Sequence, residues 1–321
     1  MEQRYVGRTG LRVSRLGLGT LTWGRDTREE EAGEQLRELL EAGGDLVDVG
    51  TGYGDGAAEE VLGKLIGPLA HRDELVISAK AVVPSYATGP DLSRRSVIAA
   101  LDATLTRLGV DHVDLWTAPG WSSHVPLAET LSALETAVRS GRARYAGLAN
   151  VDGWQATLAT ATASGGAVPT GGAAPGVPVA VQTEYSLLCR GPERELLPAA
   201  RHLGLGVIGW SPLGRGVLTG KYRAGTPADS RAASPHLARF VQPYLERGPR
   251  RVVDALVTAA DGLGCDPLDV ALGWVLNRPG VSAVLVGART AAQFRASLAA
   301  EETELPAEIV NALNEISAPP S

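Results

Sequence analysis

The chain has 321 residues, 44% of them hydrophobic, with a formal charge of −6 and a pI near 5.5. That length fits two average domains or one large barrel, and the apolar share is ample for a sizeable core. The acidic balance leaves no basic footprint and argues against nucleic acid as the main partner.

The opening "MEQRYVGRTGLRVSRLGLG" carries charges before any long apolar run, so no signal peptide is expected. No apolar stretch approaches the roughly 20 residues that span a bilayer. Cys189 and Cys265 stand far apart in no ligand-like spacing. A soluble, cytoplasmic protein without a metal centre is the expectation.

In chain order the strand candidates are "RLGLG", "LVDVG", "ELVISAK", "HVDLW", "ARYAGLA", "VAVQT", "LGVIGW" and "SAVLVG". Helical periods alternate with them at 29–42, 59–66, 93–108, 127–140, 152–163 and 194–202. Two more, 250–263 and 267–277, precede the last strand, and 291–300 follows it. Strands alternating with helices need crossover connections and hence a parallel sheet. Eight repeats predict an α/β fold, a single (β/α)8 barrel domain over residues 1–321. A doubly wound sheet is the alternative, but "GLGT" lacks the third glycine that opens a dinucleotide-binding helix.

Two segments break the rhythm. Residues 162–178, "TASGGAVPTGGAAPGVP", read as a flexible insert, being rich in Gly, Ala and Pro and nearly uncharged. The stretch 211–248 follows the seventh barrel strand as a long loop. Long loops on the C-terminal face of a barrel tend to be functional, so this one is expected to act as a lid or clamp.

A barrel keeps its active site where the strands end. The polar residues there are Asp48 and Tyr53 on and after the second strand, and Lys80 ending the third. Asn150 follows the fifth, Gln182 lies on the sixth, and Trp210 and Ser211 close the seventh. A free tyrosine holds its proton to about pH 10. A nearby ammonium, itself held by a carboxylate, is expected to lower that pKa and make the phenol a competent general acid. A plain Asp–Lys salt bridge beside a turn-packing tyrosine is the other reading of the same three residues.

The stretches "RTGLRVSRLGLGT", "VDVGTGYGDGAAEEVLG", "ISAK", "RYAGLAN", "VQTEYSLLCR", "ERELLPAARHLGLGVIGWSPLGRGVLTGKY" and "VGARTAAQF" run over nearly the whole chain. Together they resemble the aldo-keto reductases. The resemblance implies a (β/α)8 barrel, bound NADPH and hydride transfer between the nicotinamide and a carbonyl carbon. It puts Asp48, Tyr53 and Lys80 on the family's catalytic aspartate, tyrosine and lysine. It implies that Asn150 and Gln182 bond the nicotinamide carboxamide and that Trp210 stacks beneath the ring. Ser211, Leu213, Gly214 and Gly216 would begin the loop over the pyrophosphate, with Lys221 nearby. From Gly287 onward, backbone N–H groups opening a helix would form an anion site, with Arg289 on a 2′-phosphate and Gln293 supporting it.

The chain departs from that pattern at one important place. In "DLWTAPGW", Pro119 falls where the family carries a histidine that polarises the substrate. Proline has neither a side-chain donor nor a backbone N–H. His124 is a candidate to swing into the gap, against the plainer reading of a surface-loop histidine. Ala149 stands where a serine is usual, and Ala296 and Ser297 where an acidic residue and asparagine are frequent.

The expected activity is NADPH-dependent reduction of a carbonyl, enone or imine on a bulky, partly hydrophobic small molecule. Trp23, Tyr86, Trp116, Trp121 and part of 236–244 are expected to line its pocket. The alternatives are an NADPH-binding sensor or regulatory protein, and a non-redox lyase or cyclase.

Overall fold

The computed structural model describes residues 1–81, 91–166 and 174–319. Its centre is a closed barrel of eight parallel strands. They are β3 (Leu16–Gly19), β4 (Leu46–Gly50), β5 (Val76–Lys80), β6 (Val113–Ala118), β7 (Ala143–Ala149), β8 (Pro178–Glu184), β9 (Gly206–Trp210) and β10 (Val281–Val286). β10 closes the ring onto β3, with Val284 opposite Leu16. The eight strand candidates therefore all form, in the expected order.

Two short strands were not expected. β1 (Gln3–Tyr5) and β2 (Arg12–Ser14) pair antiparallel ahead of the barrel. Val6, Leu11 and Val13 pack with the inward residues Leu46, Leu115, Ile208 and Leu285, so the hairpin plugs one mouth of the barrel. Gly7 turns this segment at φ 58° and lies so close to the backbone of Gly204–Gly206 that a Cβ would overlap it.

Helices pack outside: α1 (Glu29–Glu41), α2 (Ala57–Leu65), α3 (Arg94–Leu108), α4 (Leu127–Arg139), α5 (Gly153–Ala163) and α6 (Leu196–Leu203). They continue as α7 (Ala238–Val241), α8 (Arg247–Leu263), α9 (Pro267–Leu276), α10 (Ala291–Ala299) and α11 (Ala307–Ile316). Their ends follow local chemistry. The Ser93 hydroxyl accepts from the N–H of Ser96 at the start of α3, and Gly109 ends it in a left-handed conformation. The larger core cluster fills the space between these helices and the outward faces of the strands.

The stretch 211–248 is less irregular than a plain loop. It holds short 3-10 turns at Gly214–Thr219, Arg231–Ala233 and Gln242–Leu245, with α7 between the last two. Of the expected insert, 162–166 and 174–178 are described: Thr162 and Ala163 finish α5, and Pro178 opens β8. Among the described residues no helix is long and apolar enough to cross a membrane.

Candidate active site

Asp48 lies on β4 directly opposite Ser78 on β5, and Gly50 opposite Lys80. The period of two along a strand turns Asp48, Ser78 and Lys80 into the barrel interior. Tyr53 sits five residues on, in a one-turn 3-10 segment where Gly54, Asp55 and Gly56 all take positive φ. Lys80 Nζ donates to both Asp48 oxygens, at 2.8 and 2.6 Å, and to Gln182 Oε1 at 2.9 Å. The Tyr53 hydroxyl donates to Asp48 Oδ2 at 3.2 Å, and the ammonium lies 5.3 Å from the phenol ring centre. Ser78 Oγ and Gln182 Nε2 complete the shell of Asp48 at 3.1 and 2.7 Å. A buried ion pair is favourable only when its remaining polar valences are met, and here they are.

One expectation is reversed. The phenol of Tyr53 is pushed up to about 12: burial is the main cause, Lys80 pulls it down, and Asp48 pushes it up again. The carboxylate that anchors the lysine also faces the phenol, so lysine is not alone in setting the acidity. Burial likewise works against the charge on Lys80, but Asp48 and Tyr53 outweigh it and raise its pKa.

A cavity of about 530 Å3 opens above this cluster. Asp48, Tyr53, Lys80, Asn150 and Trp210 line it, as do Ser211, Leu213, Gly216, Lys221, Gly287, Arg289 and Gln293. Two of the expected site residues do not. Gln182 is fully buried and spends its amide on Lys80, Asp48 and Ser78. Gly214 is buried at φ 54° in the turn after β9.

Trp210 Nε1 donates to Asn150 Oδ1 at 3.1 Å, and Asn150 Nδ2 donates to the Pro119 carbonyl at 3.1 Å. Asn150 and Ser211 both hold φ 53°, a costly conformation for residues with a Cβ and one that clusters at functional sites. Pro119 lines the cavity and offers it no donor, whereas His124 is exposed and does not line it.

Beyond Trp210 the wall becomes cationic. Lys221, Arg231 and Arg289 all line the cavity, and among the described residues none forms an ion pair. Arg231 donates to the Gly287 carbonyl at 2.6 Å. Crowding by protein lowers the pKa of Lys221, with added repulsion from Arg231 and Arg289, although the side chain as a whole is exposed. Burial is also the main cause of the lowered pKa of Arg231.

Three N–H groups of the expected helix-start anion site are already engaged. The N–H of Ala291 already donates to Glu31 at 2.6 Å, that of Gln293 to Thr290, and that of Arg289 to the Gln293 side chain. Glu31 occupies the favourable end of the α10 dipole, so an anion here is met by side chains.

The expected aromatic pocket is also corrected. Trp23 is fully buried, its Nε1 donating to Gln35 at 3.0 Å. Trp116 is fully buried on the helix side of β6, because Leu115 points inward and the next residue must point out. Trp121 packs edge-on against Trp154, 5.3 Å away, and does not line the cavity. From 236–244 only Phe240 lines it, and Tyr86 lies outside the described residues. Arg215 and Arg231 line the cavity and went unassigned in the sequence, since the groups that hold them are distant along the chain.

The model of the aldo/keto reductase family matches residues 15–318. The chain belongs to the aldo/keto reductase family. A Bacillus subtilis (strain 168) protein named uncharacterized oxidoreductase YrpG is 37% identical over 98% of this chain and 96% of its own length. A probable voltage-gated potassium channel subunit beta from Oryza sativa subsp. japonica is 34% identical over 90% of this chain and 87% of its own. One from Arabidopsis thaliana is 32% identical, over 94% and 91%. This aldo/keto reductase thus resembles a protein named for redox chemistry and proteins named as channel subunits.

Proposed function

We propose that this aldo/keto reductase is a cytoplasmic NADPH-dependent oxidoreductase that reduces the carbonyl group of a small molecule. The observation that carries the reading is that one cavity joins the Asp48–Tyr53–Lys80 cluster, through Trp210, to three cations with no ion-pair partner among the described residues. The residues suit the cofactor. A Cβ at Gly287 would come within 3.0 Å of Arg231 Nη2, and one at Gly216 within 3.4 Å of Lys221 Nζ, so glycine keeps that wall open beside the cations. Lys221, Arg231 and Arg289 match the phosphates of NADPH in sign, and guanidinium forks favour a 2′-phosphate over the hydroxyl of NADH. Trp210 and Asn150 would flank the nicotinamide, with Gln293 holding Arg289 in position. NADPH, when bound, supplies the hydride.

The chain's own residues do the rest. Tyr53 remains protonated across the neutral range and hands its proton to the oxygen that develops charge. Lys80 stays an ammonium and stabilises the phenolate left behind. Asp48 holds Lys80, while Ser78 and Gln182 hold Asp48. Because Pro119 gives no second donor, the reading extends to activated ketones, enones or imines, whose reaction depends less on polarising an oxygen. NADPH consumption with a panel of such compounds, lost in Tyr53→Phe, is the test; equal turnover in that variant removes Tyr53 from the mechanism.

A second reading, an NADPH-binding regulatory subunit, draws on Pro119 and on the two relatives named as potassium channel subunits. Tight NADPH binding with no turnover across the panel would favour it.

A further inference from the structure

An arginine facing a reductase cavity invites the idea of a clamp for acidic substrates, yet Arg215 is built differently. It lines the cavity in a left-handed backbone conformation, φ 60°, just after β9. Its Nε and Nη2 grip Glu184 at 2.8 and 2.5 Å, and its Nη1 donates to the carbonyl of Phe240. Glu184 ends β8 directly opposite Trp210 and does not line the cavity. The side chains of the pair are only 15% and 12% exposed. The guanidinium lies 3.9 Å from the centre of the Phe240 ring, 4.8 Å from Tyr244 and 5.9 Å from Trp210. Phe240 and Trp210 are themselves stacked, 6.3 Å apart and 20° from parallel.

The edge of the guanidinium that would fork a substrate carboxylate is therefore already taken by a carboxylate of the protein. A second anion at the same cation would meet Glu184 with its charge uncancelled. What the pair offers is a neutral, flat wall of Trp210, Phe240 and the stacked guanidinium. Leu21 and Pro119 add apolar surface to the same cavity.

Resting on the reductase reading, we propose that the Glu184–Arg215 pair sets the substrate class: planar, uncharged carbonyl compounds are accepted and carboxylates are turned away. Arg215 positions Phe240 against Trp210, and Glu184 removes the charge that would otherwise attract acids.

The test compares methyl 4-formylbenzoate with 4-carboxybenzaldehyde, near-identical in shape and different in charge, on the NADPH-saturated protein. The wild type should favour the ester by about tenfold or more in kcat/KM, and Glu184→Gln should narrow that ratio about tenfold, mainly through KM for the acid. An unchanged ratio in Glu184→Gln, or a wild type that prefers the acid, overturns the proposal. Should Glu184→Gln fail to fold, the double variant Glu184→Gln/Arg215→Met, which strands neither charge, decides: ester and acid should weaken together, whereas a selective loss of the acid would make Arg215 a carboxylate clamp. Should the wild type turn over neither aldehyde, that result bears on the reductase reading for simple aldehydes and leaves the charge argument standing. Calorimetric binding of the two corresponding benzyl alcohols, with and without NADP, then carries the test: the ester alcohol should bind more tightly, and equal or reversed affinity overturns the inference.

Discussion

The Asp48–Tyr53–Lys80 cluster and the Lys221–Arg231–Arg289 cluster line the same cavity but settle their charges differently. In the first, the ammonium is met by a carboxylate, and the carboxylate by a hydroxyl and an amide, all from the chain itself. In the second, three cations stand together, and burial first, with their mutual repulsion added, lowers the pKa of Lys221 and Arg231. A charge-balanced cluster is preorganised and costs nothing further when a ligand arrives, while an unbalanced one holds its energy in reserve for an anion. On the proposed function, the contrast separates a group that does chemistry from a group that binds.

Five experiments would break or sharpen that contrast, beginning with the largest effect. Tyr53→Phe should cut reductive kcat by about 10²–10⁴-fold while NADPH affinity, read by tryptophan fluorescence, stays within about twofold. A comparable loss of affinity would mean that the two clusters do not divide the work. Next, Lys80→Met should cost about 3–5 kcal/mol in urea unfolding, because it strands Asp48 as a buried, unpaired charge. Arg289→Ala removes no partner from any ion pair among the described residues and should leave that transition nearly unmoved. The same Arg289→Ala should weaken NADPH by about 10–10²-fold and NADH far less, as one charge-assisted contact to a phosphate is worth roughly 1.5–3 kcal/mol. Equal losses for both nucleotides would take Arg289 off the 2′-phosphate.

Smaller still, Pro119→His should raise turnover of simple aldehydes by about tenfold, less than the 10²–10³ that deleting a donor costs elsewhere. The gain is limited because Asn150 ties the Pro119 carbonyl in place and fixes where a new imidazole can point. An unchanged rate in a folded, NADPH-binding variant would show that the loop, not the lost donor, distinguishes this protein.

The smallest expected effect is with pH. On the proposed mechanism Tyr53 gives the proton, and its raised pKa keeps the donor form present below it and lost only as pH rises through about 12. Reductive kcat should therefore stay flat between pH 7 and 9 in stopped-flow traces. A fall with an apparent pKa below 9 would mean that, in the loaded protein, Lys80 overcomes the burial that dominates here.

Much of the barrel was legible because strand and helix periods are local. The eight strands and the nine expected helices all form within a few residues of their predicted ends, and Ser93 and Gly109 bound α3 by capping chemistry alone. The β1–β2 hairpin was missed because "QRY" and "RVS" are too short to establish a period. Trp116 was a different kind of miss. Alternation along β6 puts Leu115 inward and Trp116 out, so parity and not aromatic character decides where the indole goes.

By itself, then, the sequence determined the alternation that closes a parallel barrel, the place of Asp48 within β4, and the strand-end placement of Lys80, Asn150 and Trp210. It also put Pro119 where a donor is usual. Those follow from backbone periodicity and from which residue stands at which step. Only the tertiary structure decided who neutralises whom. Gln182 went to Asp48 and Lys80 across the barrel, Arg215 to Glu184 on the neighbouring strand, and Glu31 to the start of α10. Arg231 came to the cavity wall by bonding the Gly287 carbonyl. Charges interact through space and through the burial around them, and neither quantity is written in the order of the residues.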